Sequence, residues 1–345
     1  MGAGAFNNAM NIISMSTLGQ PLKRKSEPEC PRSSLFSLKQ LLDAIDCSMD
    51  HRGLHWDLGH GCHIPTETQD TSTLFNFEVD TLFMALKHAL SFVGFFFPIS
   101  QVGSICSSSG GTIFVWTRVP SPLGDIPIPP FFTACLVACL AGLSMYHMFM
   151  ATHLSITFLL APFYENPAQS WPLLFSNPLD ATSVYDFWTH RWHSTLRHGF
   201  LSTGGKLGWM VGGKVGAVLG AFLTSGLLHD SVAWCMGQGT DFSRITVYFV
   251  LQGIIVILEK SFNVDIWIDT TDKNSRRISL GASITRHKKE GRVVRENSLV
   301  DNGLGRLWTV FWVVVPATLI VDALARRGLF NIPFDISPIR HALGF

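Results

Sequence analysis

Two histidines stand where a bilayer-spanning chain ordinarily holds something else. His229, in Ser225-Gly226-Leu227-Leu228-His229-Asp230, lies inside an apolar segment at a place where a span would carry Leu or Val. Ionisable side chains inside a membrane are costly and are functional candidates for that reason. The bland reading is an imidazole satisfied by a neighbouring carbonyl or by Ser225, one helical turn back on the same face. His193 closes a cluster of aromatic and basic residues, Tyr185-Asp186-Phe187-Trp188-Thr189-His190-Arg191-Trp192-His193. Tyr185, Trp188 and Trp192, with Arg191 and Arg197 among them, suit a short helix anchored at the membrane interface. An anchor does not account for His193. A desolvated imidazole tends to be neutral and can accept a proton, so His229 is the candidate base. The two histidines can meet across a cavity if the Gly-rich segment between them folds back.

Other constellations are weaker. Gly208, Gly212, Gly216 and Gly220 recur every four residues, which puts them on one helical face that another helix or a flat ligand can approach closely. The same stretch nearly spells a phosphate loop, Gly208-x4-Gly213-Lys214, but Val215 stands where a Ser or Thr should hold magnesium, and no strand precedes it. Helix packing is the preferred reading. His51-x3-His55, His60-x2-His63 and His190-x2-His193 superficially match the ligand spacing of a membrane di-iron oxygenase, without the His-x2-His-His box. A zinc site from His51, His55, His60, Cys62 and His63 is the related alternative. His147 and His153 are six apart, do not share a helical face, and read as polar core groups. The seven Cys lack a CxxC pair or a regular spacing and read as free thiols.

The elements that carry these residues follow from composition. Of 345 residues 47% are hydrophobic and 15% charged, with 26 Phe and 10 Trp. Soluble domains carry roughly a quarter charged residues. Five apolar stretches, 82–99, 131–161, 209–237, 245–261 and 305–324, predict an all-α polytopic integral membrane protein of about five helices, four to six. The first is interrupted by Lys87 and His88 and is compatible with an interfacial position. The second and third exceed the roughly 20 residues a span needs, so each must tilt, break or continue outside the hydrocarbon. Residues 1–73 form a polar N-terminal region without a compact apolar run and small-residue cleavage site near its start, 74–325 the membrane core, and 326–345 a tail. The cations of 262–304, Lys273, Arg276, Arg277, Arg286, Lys288, Lys289, Arg292 and Arg295, assign that loop to the cytoplasm as a topogenic segment. With 26 Lys plus Arg against 25 Asp plus Glu there is no field for a nucleic-acid partner.

The blocks Trp171-Pro172-Leu173-Leu174-Phe175, Phe187-Trp188-x2-Arg191-Trp192-His193 and Ser225-Gly226-Leu227-Leu228-His229-Asp230, in this order, resemble the wax synthase-like branch of the membrane-bound O-acyltransferases. The likeness is strongest to fungal members that acetylate terpenoid or meroterpenoid alcohols. Arg52-Gly53-Leu54-His55-Trp56 resembles an upstream Arg-Gly-Ile-Gly-Trp element of that family, with His55 in place of the second Gly. The resemblance runs from about residue 40 to 325, with the wax synthase-like part at about 165–260. It implies that His229 is the buried catalytic histidine and His193 the second polar residue. It also implies acetyl-CoA as co-substrate without a bound cofactor or metal, a lipophilic alcohol acceptor arriving through membrane lipid, and a multi-pass location in the endoplasmic reticulum. Further expectations are that Trp188 and Trp192 shape the acyl pocket, that Arg191 helps receive coenzyme A, that Ser225 fixes the His229 tautomer and that Asp230 contributes to substrate binding. Direct transfer needs fewer assumptions than an acyl-enzyme on Ser225 or Cys235. A long-chain wax ester synthase is the nearest alternative. The di-iron oxygenase and a non-catalytic scaffold or transporter are the alternatives of other classes.

Overall fold

The structure, a computed structural model, describes residues 10, 56, 63–103, 111–119, 122, 124–164, 166–192, 194–262 and 299–330. His193, His51, His55, His60, Cys62 and the named cations of the basic loop lie outside the described residues. The described chain is predominantly helical, and four of its helical segments are long and apolar enough to cross a membrane: Leu74–Gln101, Pro130–Phe163, Arg197–Gly237 and Gly303–Arg326. This is the all-α polytopic membrane architecture that the apolar blocks predict. It folds as two compact units. One takes its described residues from 1–67, 172–231 and 249–312, the other from 68–171, 232–248 and 313–345.

In the second of these units, α1 (Leu74–Gly103) opens on Thr73, whose Oγ1 accepts the Asn76 amide at 3.1 Å. Lys87 and His88 do not break it. His88 turns inward and its Nδ1 lies 2.8 Å from Nδ1 of His147 on α2 (Pro130–Leu160). One ring must donate and the other accept, so the pair costs less than two separately buried imidazoles. At its N-terminal end the helix extends beyond the apolar stretch, with Asn76, Glu78 and Asp80 on its first turns. A two-stranded antiparallel hairpin precedes α2, β1 (Thr117–Val119) against β2 (Ile126–Ile128), with Thr117 opposite Ile128. The apolar pattern gives no sign of it. Phe96, Ile99, Ile113, Ala134, Val137, Ala325 and Phe330 form this unit's core. Beside it the buried Asp322 accepts from Thr112 Oγ1 at 2.7 Å, the Ile113 amide at 3.0 Å and Arg326 Nε at 2.8 Å.

The other unit holds the aromatic cluster and His229. After the short α3 (Val184–Asp186) and α4 (Arg197–Phe200), the chain runs through a π-turn at Leu201–Gly205 into α5 (Lys206–Ala233). The long apolar stretch is not one rod. Gly212 (φ −132°, ψ 19°) and Gly213 (φ 57°, ψ −138°) leave helical geometry and turn the chain back on itself. A Cβ on Gly208 would lie 1.9 Å from the Gly216 carbonyl oxygen, and one on Gly204 would lie 2.3 Å from that of Gly220. Pairs that step outward symmetrically from the turn identify an antiparallel helical hairpin. The glycine face is therefore occupied by the chain's own preceding limb. Lys214 follows a turn between two helical limbs and has no strand before it, which removes the phosphate-loop reading. Two further helices, α6 (Ile245–Ser261) and α7 (Leu299–Arg326), complete the described elements, α7 carrying Pro316 within it. Val184 packs with Ile255 and Val256, and Tyr185, Trp188, Val218, Phe222 and Trp312 close around them.

Candidate active site

The site is assembled from α3, α5 and α6. Ser183, in extended conformation, caps α3 by accepting the Asp186 amide at 3.0 Å. The two amides that the cap leaves open, Val184 and Tyr185, donate to Glu259 at 2.8 and 2.7 Å. The buried Glu259 also accepts from Trp308 Nε1 at 2.8 Å, so both oxygens of its carboxylate are engaged. An anion at a helix N-terminus complements the exposed amides and the dipole there. Beyond Asp186 the helix widens into a π-turn, Phe187–Arg191, closed by Trp192 N to Phe187 O at 2.7 Å. Such turns rephase side chains and are frequent at functional sites.

The rephasing separates the aromatic residues. Trp192 stacks on Phe187 at 5.6 Å and meets Phe175 at 5.3 Å, joining the Trp171–Phe175 block to this helix. Trp188 turns the other way. It meets Phe222 of α5 edge-on at 5.9 Å and Phe249 of α6 at 6.1 Å, and its Nε1 donates to Gln252 Oε1 at 3.1 Å. Arg191 is engaged: Nε donates to Asp186 Oδ2 at 2.5 Å and Nη1 to the Asn177 carbonyl at 3.2 Å. His190 Nδ1 lies 3.1 Å from Asp186 Oδ1. Burial works against charge on Asp186, but the hydrogen bonds from His190 and Arg191 and the Arg191 charge outweigh it and hold the carboxyl below its ordinary range. His63 Nε2 approaches Ser176 Oγ at 3.2 Å, and its ring meets that of His190 at 5.3 Å.

His229 is half-buried on the second limb of the hairpin. Its Nδ1 lies 2.7 Å from the Ser225 carbonyl oxygen. A carbonyl only accepts, so Nδ1 carries the hydrogen and Nε2 keeps its lone pair. Ser225 thus sets the tautomer through its backbone, and the bland and functional readings of the motif coincide in one contact. Phe249 lies over the imidazole at 4.3 Å with 29° between planes. Asp230, next along α5, is buried, as is Ser225. Cys235 is an exposed free thiol. The structure brings Trp188 into one aromatic chain with His229 through Phe249, whereas the contacts of Trp192 and Arg191 run to Phe175, Phe187, Asp186 and Asn177. Sequence reasoning did not single out Phe249, Gln252 or Glu259. Polar residues at 252 and 259, inside and at the end of the apolar run 249–258, were the available signal. Phe249, one of 26 Phe, offered none. Among the described residues no group of three or more His, Cys, Asp or Glu side chains is arranged to hold a metal ion.

Residues 171–251 match the family model of the membrane bound O-acyl transferase family. That segment contains the Trp171–Phe175 block, the aromatic helix and His229, so the match falls on the site. The chain is also 29% identical over 122 residues to a probable long-chain-alcohol O-fatty-acyltransferase 9 of Arabidopsis thaliana, covering 31% of this chain and 35% of that protein. It is 31% identical over 96 residues to a long-chain-alcohol O-fatty-acyltransferase of Simmondsia chinensis, covering 25% of this chain and 26% of that one. The alignments thus span about a third and a quarter of these relatives' lengths. No solved structure matches.

Proposed function

We propose that this chain is a membrane-bound O-acyltransferase that moves an acyl group from an acyl-CoA to the hydroxyl of a lipophilic alcohol, with His229 as general base. The observation that carries the reading is the hydrogen bond from His229 Nδ1 to the Ser225 carbonyl, which leaves Nε2 as a proton acceptor in an apolar surround. Nε2 takes the proton of the alcohol as its oxygen attacks the thioester carbonyl. The tetrahedral intermediate collapses by breaking the carbon–sulfur bond, and the proton passes from the imidazolium to the departing thiolate. An alcohol is a poor nucleophile at neutral pH, and a positioned base supplies about 10²- to 10⁴-fold in rate. His193 is assigned to orienting the acceptor or to stabilising the thioester oxygen, and Trp188 to the wall of the acyl pocket. Ser225 belongs to the site through its carbonyl. Trp192 is assigned with Trp188 to the acyl pocket, Arg191 to receiving coenzyme A and Asp230 to substrate binding.

For the acyl group and acceptor two readings are carried by different observations. The ordered blocks around Trp188, His193 and His229 resemble acetyltransferases of fungal terpenoid or meroterpenoid alcohols and favour acetyl-CoA. The printed names of the plant relatives favour a fatty acyl group and a long-chain alcohol. We assign the chain to the endoplasmic reticulum membrane, where both kinds of lipophilic alcohol partition. The test incubates membranes containing the wild-type chain or His229→Ala with labelled acetyl-CoA or palmitoyl-CoA, each against a terpenoid alcohol and hexadecanol. Ester formed by wild type and reduced about 10²-fold or more in the variant is the expected result. Equal product from both chains removes His229 as base, and no product from wild type under any pairing removes the enzymatic reading. The acyl-CoA that gives product decides between acetyl and long-chain transfer.

A further inference from the structure

Gln252 sits in the middle of α6, fully buried in a run, 249–258, that is otherwise apolar. Leu would fill a similar volume there without the cost of desolvating an amide. Both ends of this amide are used: Oε1 accepts from Trp188 Nε1 at 3.1 Å and Nε2 donates to the Trp312 carbonyl at 2.8 Å. The side chain therefore ties the indole of Trp188 to the backbone of α7. Phe249 is three residues earlier on the same face of α6. It lies between the indole of Trp188, at 6.1 Å, and the imidazole of His229, at 4.3 Å.

We propose that Gln252 is a positioning residue for His229, acting through Trp188 and Phe249. The bond from Nδ1 to Ser225 fixes one point of the imidazole. Rotation about that bond still swings Nε2 unless the ring plane is held, and the stack on Phe249 holds it. Phe249 keeps its own plane because Trp188 backs it, and Trp188 is fixed by the only polar atom of its side chain. Loss of the amide leaves the indole N–H without its acceptor, lets the indole tilt and frees the phenyl ring to move. The consequence falls on the direction of Nε2 rather than on the affinity for either substrate. This inference rests on the reading of His229 as general base for its kinetic consequence, though not for its geometric one.

The test uses the full chain in membranes and three variants. In Gln252→Leu, kcat falls about tenfold or more while KM for acyl-CoA changes little, as expected when a reacting group is misplaced but the binding contacts are kept. Trp188→Phe, which removes the indole donor, falls likewise, and the double variant is no worse than the poorer single one because both act on the same contact. Gln252→Glu gives the conservative rescue. A neutral carboxylic acid accepts from Trp188 and donates to the Trp312 carbonyl as the amide does, whereas the carboxylate cannot donate. Its activity relative to wild type therefore recovers between pH 8 and pH 6, and that of Gln252→Leu does not. A readout independent of turnover is the rate at which diethyl pyrocarbonate carbethoxylates His229, followed by peptide mass. That rate rises severalfold in Gln252→Leu if the ring is released. Wild-type kcat together with a wild-type labelling rate in Gln252→Leu overturns the proposal and leaves the acyltransferase reading standing. If the wild-type chain forms no ester, the acyltransferase reading fails, and the labelling rate alone decides: unchanged reactivity of His229 overturns the positioning role.

Discussion

Asp186 shows how one charge beside the site is made tolerable. Its two oxygens are taken by His190 and Arg191, at 3.1 and 2.5 Å, and its amide belongs to the Ser183 cap, so the residue ends one helical turn and pins the next. Burial opposes the charge, the hydrogen bonds and the Arg191 cation favour it, and the carboxyl is held below the ordinary aspartate value of about 3.9. The sign follows by linkage: the stabilisation is complete above the unfolded value and is lost as pH falls through the lower, folded one. Asp186→Asn should therefore be less stable than wild type near pH 7 by about 1–3 kcal/mol, the scale of hydrogen bonds to a charged group. The gap between the two thermal midpoints should begin to narrow below about pH 4 and keep closing as pH falls toward the lower, folded value. Thermal unfolding of the detergent-purified proteins from pH 3 to pH 7 checks this. A gap that stays constant to pH 3 would show that the charge of Asp186 is not what the cluster uses.

At the scale of elements, the helical hairpin decides where the His229 limb lies. Regular spacing puts Gly208, Gly212, Gly216 and Gly220 on one face, yet they do different work. Gly208 and Gly216 face each other with backbone so close that a Cβ on either meets the other's carbonyl oxygen at about 2 Å, while a Cβ on Gly212 meets nothing within 4 Å. Gly208→Ala and Gly216→Ala should each cost about 1–3 kcal/mol or more, because backbone rather than a flexible side chain must give way. Gly212→Ala, at a negative φ of −132° and with open space for its Cβ, should change the unfolding midpoint little. Equal effects at all three positions would refute the hairpin. The sequence displayed part of this: the apolar run was too long for one span, so it had to tilt, break or continue outside the hydrocarbon. It did not display where, because the Gly212-Gly213 pair looks the same in a packing stripe and in a turn. The partner of His229 was legible for a related reason, since residues four apart on a helix meet whatever surrounds them. Glu259 and Gln252 were hidden because their partners, Val184, Tyr185, Trp188, Trp308 and Trp312, are distant in sequence and the contacts are set by tertiary packing.

For the whole molecule, scarcity of charge was the most reliable sign, and the described chain spends its buried charges carefully. Asp322, Glu259 and Asp186 each have both carboxylate oxygens engaged, as a low-dielectric surround requires. Five apolar stretches stand against four helical segments long and apolar enough to cross a membrane among the described residues, and neither number translates directly into crossings. Arg197–Gly237 contains 41 residues, and as a single rod it would run about 60 Å, twice the hydrocarbon thickness. Folded at Gly212–Gly213, its limbs return the chain toward the side from which it entered, so this segment does not count as one simple crossing. The distance between Leu201 and Leu223, on the two limbs and both exposed, separates these topologies. Spin labels at the two positions in a cysteine-free chain should lie within about 20 Å of each other in the hairpin, whereas 22 residues of continuous helix would hold them roughly 33 Å apart. Measurement by electron paramagnetic resonance in lipid bilayers decides it. The longer distance would restore one continuous rod.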